Sequence, residues 1–169
     1  MLILGIDPGL QKTGWGIIFS EGSTLQFKSS GLIRTSASDS LGARLATLHH
    51  GLSKVIADWN PTAAAVEETF VNKNPASALK LGQARGVCLV APAIHGLEVG
   101  EYAATKVKKA IVGTGRAAKQ QMGMMVRTLL PSCGQIGEDE ADALAVAICH
   151  AHYGSTSWNA RVAAATPSR

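Results

Sequence analysis

Three groups of acidic residues, far apart in the sequence, are the side chains with the clearest potential for chemistry. Asp7 directly follows the short apolar segment at residues 2–6. Glu67 and Glu68 end a second segment of small apolar residues, and a third acidic group lies in GEDEAD at residues 137–142. Open α/β sheets bind their ligands beyond the carboxyl ends of their strands. Acids that end buried strands are therefore candidates for a shared binding site.

Asp7 also has a purely structural interpretation, because Asp-Pro-Gly is a favourable turn sequence by itself. The residues of this stretch alone favour neither interpretation. The glycines around it shift the balance slightly towards a site, because a glycine lets a bulky group approach the backbone. These are Gly5, Gly9, Gly14 and Gly16.

Only one of the two adjacent glutamates can share a site with Asp7, because successive side chains of a strand point to opposite faces. Ala63 and Ala65 lie on the same face as Glu67, and their small size leaves room beside it. The alternative is an exposed pair at the end of a strand, which is the common situation for two neighbouring glutamates.

The third group lies at the start of a predicted helix. Asp139 and Asp142 are three residues apart and are therefore neighbours on one helix face. Glu138 and Asp142 are four residues apart, so this pair could share a helix face nearly as well. Acids in a first helical turn can also simply complement the helix dipole. Asp142, however, is followed by the apolar run ALAVAI, and the predicted helix at residues 138–152 contains no Lys or Arg. A half-buried carboxylate at this position needs a partner from elsewhere.

If the strand ends and the start of the last helix meet, four carboxylates gather and repel one another unless cations lie between them. Oxygen ligands without histidine or thiolate favour magnesium or manganese. Two such ions about 4 Å apart can activate a water molecule and stabilise the leaving oxygen in phosphodiester hydrolysis. Residues 73–127 carry nine Lys or Arg and two acids, a net charge of +7. This segment predicts a phosphate-binding surface beside the acidic site.

The pattern of the remaining sequence predicts an α/β domain with a mixed sheet. Three strands come first, and helices and strands then alternate, which is typical of that class. Asn74 and Pro75 form a helix N-cap and first helical position. Strands are predicted at residues 2–6, 13–19, 24–33, 62–67 and 97–102, and helices at 41–59, 75–94, 105–112, 117–130 and 138–152. Gly154 is expected to end the last helix. We expect one domain over residues 1–154 and a flexible tail over residues 155–169.

The composition is that of a globular protein. Of the 169 residues, 46% are hydrophobic and 17% charged, which excludes a disordered chain. The net charge of +4 permits a polyanionic partner without requiring one. The three cysteines have no metal-ligand spacing and are expected to be reduced thiols. Neither a signal peptide nor a membrane-spanning segment is predicted, so we expect a cytoplasmic protein without membrane contact.

Five ordered blocks of the sequence resemble the RuvC family of bacterial Holliday junction endonucleases, within the ribonuclease-H-like superfamily. The blocks are GIDPG (5–9), AVEETF (65–70), SALKLGQARG (77–86), EYAATKVKKAIVGTG (101–115) and DEADALAVAICH (139–150). The similarity extends from Leu2 to about His152. It implies a ribonuclease-H-like α/β fold, with a mixed five-stranded sheet flanked by helices.

The resemblance also assigns roles to individual residues. It implies a catalytic tetrad that holds two magnesium ions, with manganese as a possible substitute, and it selects Glu67 over Glu68 and Asp139 over Glu138. It implies that Lys108 and Lys119 contact DNA near the scissile phosphate. Phe70 matches an aromatic residue that wedges against unstacked bases, although without the resemblance it is typical of a core residue. The implied tetrad is Asp7, Glu67, Asp139 and Asp142.

The function implied by the resemblance is resolution of four-way DNA junctions in recombination and repair. Paired symmetric nicks on opposing strands would leave 5′-phosphate and 3′-hydroxyl ends. A homodimer is implied, with the helix at residues 76–94 as the candidate contact, and the RuvA–RuvB branch-migration complex is an implied partner. The alternatives are an actin-like or sugar-kinase-like ATPase, a non-catalytic junction-binding module and a nuclease for RNA–DNA hybrids. The first would need a much longer chain, because such proteins duplicate the fold.

Overall fold

The computed structural model describes the backbone of residues 1–68 and 74–165, and the side chains of residues 1–68 and 74–154. Five strands and five helices follow one another along this part of the chain. The strands are β1 (Leu2–Asp7), β2 (Lys12–Glu21), β3 (Thr24–Arg34), β4 (Ala63–Glu68) and β5 (Glu98–Ala103). The helices are α1 (Leu41–Trp59), α2 (Pro75–Ile94), α3 (Ala104–Val112), α4 (Lys119–Leu129) and α5 (Glu138–Ala165), with a single 3₁₀ turn at Pro131–Cys133.

The strands form one mixed sheet in the order β3-β2-β1-β4-β5, which confirms the predicted five-stranded sheet. The pairs β1–β2 and β2–β3 are antiparallel because short turns join them. The pairs β1–β4 and β4–β5 are parallel. Parallel neighbours need long crossover connections, which α1 and α2 provide. The parallel pair β1–β4 at the centre brings the carboxyl ends of both strands to the same edge of the sheet.

Helices cover both faces of the sheet, and each face has its own apolar core. Helices α1 and α2 pack on one face, and their side chains surround Leu4 and Ile6 of β1. Helices α3, α4 and α5 pack on the other face, around Ile3 of β1 and Ala65 of β4. Residues that alternate along a strand therefore belong to different layers, as the period of two requires.

Glycines of β1 and β2 allow helix α5 to pack closely against the sheet. A Cβ atom added at Gly14 would overlap the backbone carbonyl oxygen of Asp139. A Cβ atom at Gly5 would overlap the carbonyl oxygen of Ala143, and one at Gly16 would lie 2.6 Å from the Leu144 side chain. The bulky group that the sequence led us to expect near these glycines is therefore helix α5. Its first turn lies directly beside the end of β1.

The ends of the helices agree with the predicted signals except at α5. The Asn74 side chain accepts hydrogen bonds from the amides of Ala76 and Ser77, as expected of an N-cap. The predicted end of α5 at Gly154 is wrong, because the helix continues to Ala165. A glycine inside a helix costs only about 1 kcal/mol relative to alanine, so Gly154 alone need not end the helix, and the alanines at 160 and 163–165 favour its last turns. The division of the chain at Gly154 into a domain and a flexible tail stays a prediction.

None of the helices in the described ranges has the length and apolar character needed to cross a membrane.

Candidate active site

The direction of the side chains on β1 and β4 decides which strand-end acids face each other. Ile3 and Ala65 belong to the core beneath α5, whereas Ile6 and Val66 belong to the core on the opposite face. By alternation along each strand, Asp7 and Glu67 point to the α5 face and Glu68 points away from it. The strand register therefore brings Asp7 and Glu67 together.

The first turn of α5 brings two further carboxylates to this place. Asp139 and Asp142 line the same cavity as Asp7 and Glu67, and its volume is about 280 Å³. Lys108 of α3 and Lys119 of α4 also line it, together with Ala104, Val107, Met122 and Ala145. Glu138 lines a neighbouring cavity instead. Four acids from three distant parts of the sequence thus share one site, with two lysines beside them.

Asp7 has the most perturbed carboxyl group of the site. Burial, followed by repulsion from Glu67, Asp142 and Asp139, raises its pKa from 3.8 to about 8. Without a bound cation, the protonated form of Asp7 is therefore favoured up to about neutral pH, where its carboxyl group interacts with that of Glu67. A buried carboxylate in such surroundings is costly unless a cation compensates its charge.

The pKa values of two neighbouring acids, Glu67 and Asp142, are shifted in the same direction. Burial is the main reason that the pKa values of Glu67 and Asp142 are raised. Repulsion from Asp142 adds to the shift of Glu67, while the hydrogen bond from Asp7 opposes it. Lys108 and Lys119 lower the pKa values of both Glu67 and Asp142, and so reduce the upward shift. Such a cluster of perturbed acids in a cavity is typical of a functional site.

Lys119 lies directly beside the acids of α5. Its Nζ atom is 3.9 Å from the Asp142 carboxylate and 3.9 Å from the Glu138 carboxylate. The ammonium group is largely exposed to solvent, so these pairs contribute little to stability. Their position at the rim of the cavity places a mobile positive charge where an anionic ligand would enter.

The set of donors in the cavity fits a hard divalent cation. It consists of carboxylate oxygens without histidine or thiolate, the set that magnesium and manganese prefer. In residues 1–68 and 74–154, no three His, Cys, Asp or Glu side chains already stand in a metal-binding arrangement. The ammonium group of Lys119 offsets part of the negative charge of these acids.

Two supporting residues were missed by sequence reasoning. Thr13 is fully buried, and its hydroxyl group donates a hydrogen bond of 2.6 Å to the Gly9 carbonyl, which shapes the loop after Asp7. Arg85 of α2 contacts the backbone of Glu67 from the other side of the sheet. Neither has a local sequence signal, because both act on residues that only the fold brings near. Phe70, the predicted wedge residue, lies outside the described residues.

Comparisons with known proteins agree on one family. The family model described as crossover junction endodeoxyribonuclease RuvC matches residues 3–150. A protein of that name from Paramagnetospirillum magneticum is 64% identical over 156 residues, covering 92% of this chain and 94% of the relative. Its counterpart from Rhodospirillum rubrum is 58% identical over 153 residues, with 90% of each chain covered. The structure of Thermus thermophilus RuvC in complex with Holliday junction substrate superposes with a TM-score of 0.86 at 33% identity, over 93% of this chain and 96% of that one.

Proposed function

The chain belongs to the RuvC family of crossover junction endodeoxyribonucleases, and from this premise we propose that it resolves Holliday junctions as a nuclease. Each of two active sites would hydrolyse one phosphodiester, so that symmetric nicks form on opposing strands. The products would carry 5′-phosphate and 3′-hydroxyl ends, which a ligase can rejoin. The biological setting would be homologous recombination and DNA repair.

The observation that carries this proposal is the convergence of four carboxylates and two lysines on one cavity. We assign Asp7, Glu67, Asp139 and Asp142 as the ligands of two magnesium ions, with manganese as a substitute. Bound there, the two ions would activate the attacking water and stabilise the charge on the departing 3′ oxygen. Asp7 interacts electrostatically with each of the other three acids, so it would be able to hold both ions together with them.

The lysines of the cavity would act on the phosphate group. Lys108 and Lys119 line the same cavity as the acids, so their ammonium groups can offset the negative charge that grows on the scissile phosphate. Further basic residues between residues 73 and 127 would bind the neighbouring phosphates of the junction arms. Phe70 is assigned to base unstacking at the crossover on the family resemblance alone.

A homodimer would match the approximate two-fold symmetry of a four-way junction, because it holds two equal sites at a fixed separation. Helix α2 supports this assignment. Its apolar side chains Leu79, Val90 and Ile94 are 66%, 50% and 68% exposed, although α2 packs on α1 and the sheet with its other side. A second copy of α2 would cover them. The RuvA–RuvB complex as a partner follows from the resemblance only. The cytoplasm as location is proposed from the sequence, whose three cysteines are all free thiols.

The direct test is cleavage of a synthetic four-way junction with and without magnesium. We expect paired nicks near the crossover in magnesium, no cleavage in EDTA, and much slower cleavage of linear duplex or RNA–DNA hybrid. Mapping the ends of the products would check the polarity of hydrolysis. Cleavage of the hybrid at the rate of the junction would instead favour a general ribonuclease-H-like nuclease.

The metal-free protein is expected to lose stability as the pH rises. Asp7 has a folded-state pKa of about 8, well above its ordinary value of 3.8. Its stabilising proton is therefore present at low pH and is lost as the pH rises through about 8, when the ionised group repels the neighbouring acids. The melting temperature in EDTA should fall between about pH 4 and pH 8 and level off above that range. The stabilisation by excess magnesium should grow over the same range, because binding requires ionised ligands.

Thermal unfolding of wild-type and Asp7→Asn proteins at several pH values, in EDTA and in magnesium chloride, measures this effect. The variant should show a weaker dependence on pH and little stabilisation by magnesium. An equal magnesium effect in both proteins would contradict the assignment of Asp7.

A further inference from the structure

We propose that Arg85 is a positioning residue, which holds the Glu67 end of β4 from behind the sheet and thereby increases the affinity of the site for magnesium. The proposal rests on the function proposed above, and it concerns a residue on the face of the sheet opposite to the cavity. Arg85 belongs to α2, whereas the helices that border the cavity belong to the other layer.

Arg85 connects the ends of two strands. Its Nε atom donates a hydrogen bond of 3.2 Å to the backbone carbonyl oxygen of Glu67. One of its terminal nitrogens forms a hydrogen-bonded ion pair with the Glu101 carboxylate of β5. The Arg85 side chain is 22% exposed, so the contact is partly shielded from water. The guanidinium group thus contacts the backbone of Glu67 from one face, while the Glu67 carboxylate projects from the other.

Glu67 lies where the sheet provides little support of its own. The parallel pairing of β1 with β4 ends at Val66, one residue before Glu67. On the other side Glu67 pairs with Tyr102 of β5, and β4 ends at the next residue. The hydrogen bond from Arg85 therefore supplements a strand end that is paired on one side only. A shift of this backbone would move the Glu67 carboxylate relative to Asp7.

The geometry of the guanidinium group is needed for this role. Its planar fork can donate to the Glu67 carbonyl and to the Glu101 carboxylate at the same time, whereas a lysine ammonium is a compact charge on a flexible stem. Glu101 points to the α2 face because its neighbour Tyr102 belongs to the opposite core. Glu101 can therefore orient Arg85, while the cavity lies on the far side of the sheet.

The same helix also supports the strand end that carries Asp7. Cys88 lies three residues after Arg85, hence on the same side of α2. It is fully buried and lies near Thr13 and Asp7, and burial followed by the charge of Asp7 raises its pKa to about 12. Helix α2 therefore lies behind both strand-end acids. Of Arg85 and Cys88, Arg85 is the side chain that can be removed without opening a gap in the core.

The test compares Arg85→Ala, Arg85→Lys and Glu101→Gln with the wild type. We expect Arg85→Ala to raise the magnesium concentration for half-maximal cleavage by about tenfold or more, as for other residues that orient metal ligands. The magnesium-induced rise in melting temperature should shrink in parallel, which gives a readout independent of cleavage. Arg85→Lys should restore only part of the affinity, and Glu101→Gln should cause a smaller change in the same direction.

Lys54→Ala is the matched control, because it removes an exposed positive charge from the neighbouring helix α1, outside the basic segment assigned to DNA. It should leave the magnesium dependence unchanged. Junction binding by Arg85→Ala in EDTA should equal that of the wild type. A loss of junction binding with an unchanged magnesium dependence would overturn the proposal and make Arg85 a DNA contact. A lower melting temperature in EDTA with an unchanged magnesium dependence would also overturn it. A wild-type protein that neither cuts junctions nor is stabilised by magnesium would contradict the proposed function itself.

Discussion

Replacing Asp7 with asparagine is expected to lower the rate of junction cleavage by at least about 1000-fold. Loss of a single charge-stabilising group in an active site costs about 100- to 1000-fold, and Asp7 is assigned as a ligand of both ions. Asparagine has the same shape, so the strand and the loop after it should keep their structure. The basic surface is unchanged, and junction binding should therefore be retained. Single-turnover cleavage in magnesium and binding in EDTA measure the two effects separately.

Asp58→Asn provides the matched control for this prediction. Asp58 is an exposed acid at the end of α1, paired with Lys54 and remote from the cavity. The same chemical change there should leave both cleavage and binding unaltered. Wild-type cleavage by Asp7→Asn would refute the assignment of the site. Loss of binding by this variant would show that Asp7 acts mainly through the folding of the DNA-binding surface.

Gly14→Ala is expected to reduce cleavage by on the order of 100-fold, although residue 14 carries no reactive group. The added methyl group would overlap the backbone of Asp139, so the first turn of α5 must move away from the sheet. That movement carries Asp139 and Asp142 away from Asp7 and Glu67. A displacement of about 1 Å can cost 100-fold in rate. Cleavage rate and magnesium affinity should fall together, with junction binding less affected.

Two other glycine variants test whether the loss of cleavage depends on what the added methyl group contacts. Gly42→Ala, in the exposed first turn of α1, meets no atom within 4 Å and should cleave at the wild-type rate. Gly16→Ala meets the Leu144 side chain at 2.6 Å and its backbone nitrogen only at 3.2 Å, so it should cause a smaller loss than Gly14→Ala. Circular dichroism and thermal unfolding would verify that each variant is folded. Equal activity of all three variants would show that the close packing of α5 on β2 does not position the acids.

Much of the fold follows from local signals. The hairpins, the N-cap at Asn74 and the alternation of helices and strands predicted the mixed sheet, because each depends on residues close in sequence. The period of two also predicted that Glu67 and Glu68 face opposite sides. The choice between them depended on the register of β4 against β1, which only the resemblance supplied before the structure was known.

Other features depend on contacts between distant residues. The glycines of β1 and β2 indicated that a bulky group comes close, but their sequence could not identify it as α5. Arg85 resembles any basic residue of a helix until the fold places it behind Glu67. The end of α5 was misjudged because glycine is a common stop signal but does not by itself end a helix. The raised pKa of Asp7 likewise exists only once the three acidic segments meet.

Helix α2 carries the exposed apolar side chains on one side and Arg85 and Cys88 on the other. In the proposed dimer, the neighbouring subunit would contact the same helix whose Arg85 side chain holds the backbone of Glu67. The Arg85 contacts lie within one subunit, so a displacement of α2 on pairing would be transmitted through them to Glu67. Subunit pairing and ion binding would then each strengthen the other, because such coupling is reciprocal.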